Sequence, residues 1–167
     1  MVVNNVTRLL SSRGIAFTAF ELPAEKLGAI ETARRLGVSA SLVYKTIVVQ
    51  REKGGKPILA VIPGNHAVNL KSLAAFLNEK KLRVATQREA EQLTGLQTGG
   101  ISPLALIHKG FQVVLSSDAL QHDQIHISGG QRGLNIRLPV QALTDLTRAR
   151  VAAISQPLPT DTNGDED

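Results

Sequence analysis

Lys45 opens an apolar run, Lys45-Thr46-Ile47-Val48-Val49, with the composition of a strand entering a core. Lysine is almost never fully buried without a partner. One placed here either snorkels to water or holds its ammonium in a cleft, where it binds an anion or takes part in chemistry. Two glycine-centred bends further on, Thr98-Gly99-Gly100-Ile101-Ser102-Pro103 and Ser128-Gly129-Gly130-Gln131-Arg132-Gly133, are backbones able to face it. Residues without side chains permit close approach, Pro103 stiffens the end of the first bend, and amide N–H groups in such bends can cradle an anion or a developing oxyanion. Ser128 can add a hydroxyl. The three segments are read as one site.

Other chemistries fail on residue type. With no cysteine, thiolate nucleophiles, disulfides and Cys-based zinc sites are excluded. Gly95 to Gly100 is not followed by the Gly-Lys-Ser/Thr of a phosphate-binding loop, no dinucleotide fingerprint is present, and no Gly-x-Ser-x-Gly elbow marks a serine hydrolase. Of the four histidines, His122 and His126 are four apart, but His126 lies in an expected strand, so the pair does not share a helix face as metal ligands would. The reading is a site without metal or cofactor, built on one lysine, backbone donors and small hydroxyls. Such a site suits a substrate that already carries a labile ester and needs positioning and oxyanion stabilisation.

The elements that must position these residues follow from patterning. Helices are expected over residues 6–12, 29–36 with Gly37 as C-cap, 69–77 with Asn69 as N-cap, and 86–93 with a Thr86/Glu89 capping box; a last one starts with Pro139 in its first turn and runs to 147. Strands are expected over 15–20, 45–50, 57–62, 82–85, 111–115, 124–128, 134–138 and 151–154. Those at 45–50 and 57–62 form a hairpin around the Gly54-Gly55 connector, and the Ser128 to Gly133 bend joins two others. Irregular interleaving of these elements indicates an α+β fold, a mostly antiparallel sheet curled toward a barrel with helices outside.

The 167 residues suit one domain over residues 1–155, followed by an acidic tail, 156–167, expected to be disordered. The core must be aliphatic, since aromatics are only 3% of the chain, too few for the stacking platforms of single-strand RNA readers. The formal charge of +5 understates the domain: removing Asp161, Asp165, Glu166 and Asp167 from the 14 acidic residues leaves 10 against 19 basic ones. A domain so basic attracts polyanions, with an affinity that weakens in salt. Neither a secretory signal pattern nor an apolar run of membrane-spanning length is evident, so a cytoplasmic protein without membrane contact is expected. Aminoacyl-tRNA is both a polyanion and a labile ester.

Val43-Tyr44-Lys45-Thr46, Gly99-Gly100-Ile101-Ser102-Pro103-Leu104 and Ser128-Gly129-Gly130-Gln131-Arg132-Gly133-Leu134, in this order and spacing, resemble the YbaK/EbsC family of prolyl-tRNA-editing-domain-like deacylases over roughly residues 4 to 155. Within it the pattern is most similar to the bacterial Cys-tRNA(Pro) deacylases. The resemblance implies a compact mixed α/β barrel that clears mischarged tRNA(Pro) in trans, with prolyl-tRNA synthetase as a further partner. It implies catalytic roles for Lys45, Gly99 and Gly100. The implied substrate-binding surround is Phe20, Tyr44, Thr46, Ile101, Ser102, Pro103, Ser128, Gly129, Gly130 and Asn135. Phe20 stands where Cys-specific relatives commonly carry tyrosine, and Asn135 replaces an aspartate of Arg-Gly-Leu-Asp. In the implied mechanism the cysteinyl thiol attacks its own ester. Relatives that remove alanine use water instead, and a non-catalytic tRNA-binding module or a Schiff-base enzyme on Lys45 are the remaining readings.

Overall fold

In the computed structural model, which describes residues 2–159, the expected hairpin is the centre of the fold. Strand β2 (Tyr44–Arg51) pairs antiparallel with β3 (Ile58–Pro63), placing Lys45 opposite Ile62. All six residues of β3 are buried, as a strand covered on both faces requires. On its other side β3 pairs in parallel with β6 (Gln112–Ser116), which pairs in parallel with β9 (Arg150–Ala152). The short β5 (Leu82–Val84) completes the order β5-β2-β3-β6-β9. A second, antiparallel sheet has the order β1-β8-β7, from β1 (Thr18–Glu21), β7 (Gln124–Ser128) and β8 (Leu134–Pro139). A third pairs β4 (His66–Val68) with β10 (Ser155–Pro157).

Alternation along β3 divides the core in two. Leu59 and Val61 join Leu115 and the inward residues of the second sheet, Ile125, Ile127, Ile136 and Leu138. Ile58, Ala60 and Ile62 face the other way, toward Leu73 of α3 (Leu70–Leu77) and Ile154. The remaining helices are α1 (Asn5–Ser12), α2 (Gly28–Leu36), α4 (Gln87–Thr94) and α5 (Val140–Thr147). Gly37 ends α2 at φ +70°, Asn69 Oδ1 accepts from Ser72 N at 3.0 Å, and Thr86 and Glu89 form the expected capping box.

The α+β class and the antiparallel majority stand as read, but the described strands do not close into a barrel. The first two sheets keep separate edges and meet at one isolated parallel bridge, Val43 with His126. Pro139 lies just outside α5 as its N-cap rather than in its first turn. Residues 156 and 157, read as tail, pair with β4; residues 160–167 lie outside the described residues. No described helix is long and apolar enough to cross a membrane.

Candidate functional site

The Val43–His126 bridge decides where Lys45 goes. Two residues further along each strand from that parallel pairing stand Lys45 and Ser128, and both line one cavity of about 230 Å³. The Lys45 ammonium donates to the Gly64 carbonyl at 3.2 Å, and partial burial pushes its pKa down. Gly64 is itself held tightly, its N–H donating to the carbonyls of Val43 at 2.7 Å and Ala40 at 3.2 Å. A Cβ there would lie 2.7 Å from the Ala29 methyl and 2.8 Å from the Val43 oxygen, so only glycine fits. An ammonium has three donors; one is used on Gly64.

The first bend supplies Thr98, Gly99 and Ile101 to the cavity. Gly99 adopts φ +96°, a conformation that favours glycine, and its N–H has no protein partner among the described residues. Gly100 takes a different place. Its N–H donates to the Gln97 carbonyl at 2.8 Å, and a Cβ on it would meet the Gln131–Arg132 backbone at 2.9 Å. The two bends are therefore packed against each other at Gly100, and Arg132 Nε fastens them by donating to the Thr98 carbonyl at 2.7 Å. Of the sequence-predicted catalytic glycines, Gly99 faces the cavity and Gly100 builds the joint behind it. Thr98 Oγ1, beside the cavity, is buried without a hydrogen-bond partner among the described residues.

The second sheet brings a cross-strand row: Phe20 opposite Asn135, and Asn135 opposite Ser128. Ser128 and Asn135 line the cavity; Phe20 does not, its ring lying 5.4 Å from that of His126 with the Arg137 guanidinium over it. Asn135 Oδ1 is 2.8 Å from His126 Nδ1, and burial holds the buried His126 below the ordinary imidazole range. Tyr44 and Thr46 border the cavity, but the Tyr44 side chain belongs to the core cluster. Its hydroxyl is buried with no hydrogen-bond partner among the described residues, and burial, with the charge of Asp118, pushes its pKa up.

Four predicted residues back the site rather than line it. Ser102 is fully buried and caps the Pro103–Lys109 turn through Leu104 N; Pro103 begins that turn. A Cβ on Gly129 would strike the Leu134 side chain at 2.5 Å, and Gly130, at φ +93°, packs beside Val6 and Ala105. Sequence reasoning missed a further wall. The segment between β1 and α2 contributes Leu22, Glu25 and Leu27, and Gly28, Ala29 and Thr32 continue the wall. Its only sequence-level signal was an acidic residue in a Pro-containing loop beside a basic site.

Away from the cavity, His66 Nδ1 lies 2.8 Å from Ser155 Oγ, which contacts Asp118 at 3.4 Å and Ser116 at 3.0 Å. The serine stands between imidazole and carboxylate, whereas a nucleophilic serine needs the imidazole in the middle. This network ties β4 and β10 to the end of β6.

Residues 24–146 match the model of the aminoacyl-tRNA editing domain family. The chain is 33% identical over 153 residues, 90% of it and 92% of the relative, to EbsC of Enterococcus faecalis, whose name marks it as a candidate Cys-tRNA(Pro)/Cys-tRNA(Cys) deacylase. It is also 28% identical to a proline–tRNA ligase of Nitratidesulfovibrio vulgaris, matching 92% of this chain but 27% of the ligase. Among solved structures, a hypothetical protein superposes with a TM-score of 0.83 at 27% identity, covering 92% of this chain and all of that one. A candidate trans-editing enzyme for prolyl-tRNA synthetase gives 0.75 at 27% identity, covering 93% and 99%.

Proposed function

The chain belongs to the aminoacyl-tRNA editing domain family, and on that premise we propose that it deacylates mischarged tRNA in trans, with Cys-tRNA(Pro) as its preferred substrate. The observation that carries this reading is the convergence of Lys45, Gly99 and Ser128, from three separate segments, on one cavity. The similarity to EbsC supports the choice of substrate.

In this reading the acylated 3′ end enters the cavity. Lys45, oriented by Gly64, keeps two N–H donors for the terminal adenosine or the aminoacyl carbonyl, and the Gly99 N–H, without a protein partner among the described residues, would stabilise negative charge on the ester oxygen. Ser128 and Asn135 form the polar wall beside the reacting group. For a cysteinyl substrate, the thiol sulfur bonds to the ester carbonyl carbon as the bond to the ribose oxygen breaks. The thiol proton ends on that oxygen, giving a thiolactone and free tRNA. The protein then needs no nucleophile of its own, and correct prolyl-tRNA, lacking a thiol, escapes. This selectivity exceeds what a pocket obtains from the one or two apolar contacts separating small side chains, each worth roughly 1 to 3 kcal/mol. The setting would be the cytoplasm, with prolyl-tRNA synthetase as the source of the error.

The test is one deacylation assay with Cys-, Ala- and Ser-charged tRNA(Pro). Rapid loss of cysteine with slow loss of alanine and serine is expected. Faster release of alanine would replace the thiol route with a water-mediated one, and binding without ester loss would make the protein a tRNA-binding module.

A further inference from the structure

Among the described residues, two charged ones line the cavity, Lys45 on β2 and Glu25 on the segment leading into α2. That segment is fixed at both ends. Leu22 N donates to the Gly133 carbonyl at 2.8 Å, and Lys26 Nζ donates to Gln87 Oε1 at 2.6 Å. It also passes close over the first bend, where a Cβ on Gly99 would lie 3.5 Å from Lys26 Cα. The exposed Glu25, whose N–H donates to the Pro23 carbonyl at 2.7 Å, stands in the chain between Lys26 and Ala24, whose Cα a Cβ on Gly133 of the second bend would meet at 3.1 Å. Among the described residues no cation lies within 4 Å of its carboxylate, and the neighbouring Lys26 is committed elsewhere. The cavity thus carries a carboxylate that no cation of the described residues approaches within 4 Å.

An aminoacyl ester carries its own cation. Its α-ammonium stands about 2.5 Å from the ester carbon by standard bond lengths, so an ester seated beside Gly99 carries that ammonium within the same cavity that Glu25 lines. We infer that Glu25 receives the α-ammonium of the aminoacyl group and so restricts the site to esters with a free amine. This rests on the deacylase reading and adds a specificity-determining residue to it. A charge-assisted hydrogen bond is among the stronger polar contacts, and esters whose amine is blocked or absent forfeit it.

The test uses two uncleavable probes, 3′-deoxy-3′-(cysteinylamino)adenosine and its 3-sulfanylpropanoyl counterpart, which differ only in the α-amine. The wild-type protein should bind the amine-bearing probe at least about tenfold more tightly. Glu25→Gln should bring the two within about twofold, Glu25→Asp should restore part of the preference, and Glu25→Lys should reverse it. Equal binding of both probes by wild type, binding of neither, or an undiminished preference in both Glu25→Gln and Glu25→Lys would overturn the inference. Deacylation of Cys-tRNA(Pro) by the same preparation separates the two claims. Turnover with a preference that ignores Glu25 defeats only the ammonium site, whereas a Glu25-dependent preference without turnover defeats only the deacylase reading.

Discussion

The Lys45 ammonium is held by the main-chain carbonyl of Gly64, 3.2 Å away, and Gly64 can occupy its place only because it has no side chain. A residue outside every recognisable motif thereby sets the direction of the Lys45 amine.

Gly64→Ala should accordingly act twice. The new methyl would press on Ala29 and the Val43 carbonyl, costing about 1–3 kcal/mol as overpacking does, and the shifted carbonyl would release Lys45. Thermal unfolding should show a lowered midpoint. Deacylation should fall even well below that midpoint, where the variant is folded.

Arg132 is a positioning residue that joins the two bends without lining the cavity. Arg132→Met keeps much of the apolar stem but leaves the Thr98 carbonyl without its donor, an expected loss of about 1 kcal/mol. We expect kcat to fall several-fold with KM little changed, because the bend would hold Gly99 less firmly. Steady-state kinetics with Cys-tRNA(Pro) provides the check.

Acid stability should depend on His126. Burial lowers its pKa, opposed by the hydrogen bond to Asn135 and reinforced by Arg137, so the folded state takes up a proton less readily than the unfolded chain at its ordinary 6.5. Where the unfolded state binds more protons, stability rises with pH. The contribution of His126 is therefore complete above 6.5 and is lost as the pH falls from there toward its lowered folded value. Asn135→Asp would give the imidazole a carboxylate partner, raise its pKa and reduce that loss. Unfolding midpoints between about pH 8 and about pH 5, with an NMR titration of His126, would measure both effects.

What the sequence made legible was local. Asn69, the Thr86/Glu89 box and Gly37 announce helix ends through contacts within a few residues, and the hairpin is marked by its Gly54-Gly55 connector. Lys45 and the glycine bends were readable from residue type, and the family resemblance from their order. Gly64 was not, because what requires glycine there is Ala29, brought near only by the fold. Gly100 looked equivalent to Gly99, and only the packing of one bend on the other separates the joint from the cavity face. Strands β4 and β10 are three residues each, with His66, Ser155 and Gln156 in place of an apolar alternation, and pairing alone defines them. That the described strands stay unclosed likewise depends on distant strand edges that no local pattern encodes.

The Lys45 amine is the group on which the proposed chemistry turns, and deacylation of Cys-tRNA(Pro) by Lys45→Ala measures its part in it. Its rate should fall at least about 100-fold below that of wild type, as expected when a positioned donor to a developing charge is removed, with the unfolding midpoint little changed. A Lys45→Ala variant that releases cysteine at the wild-type rate would contradict it.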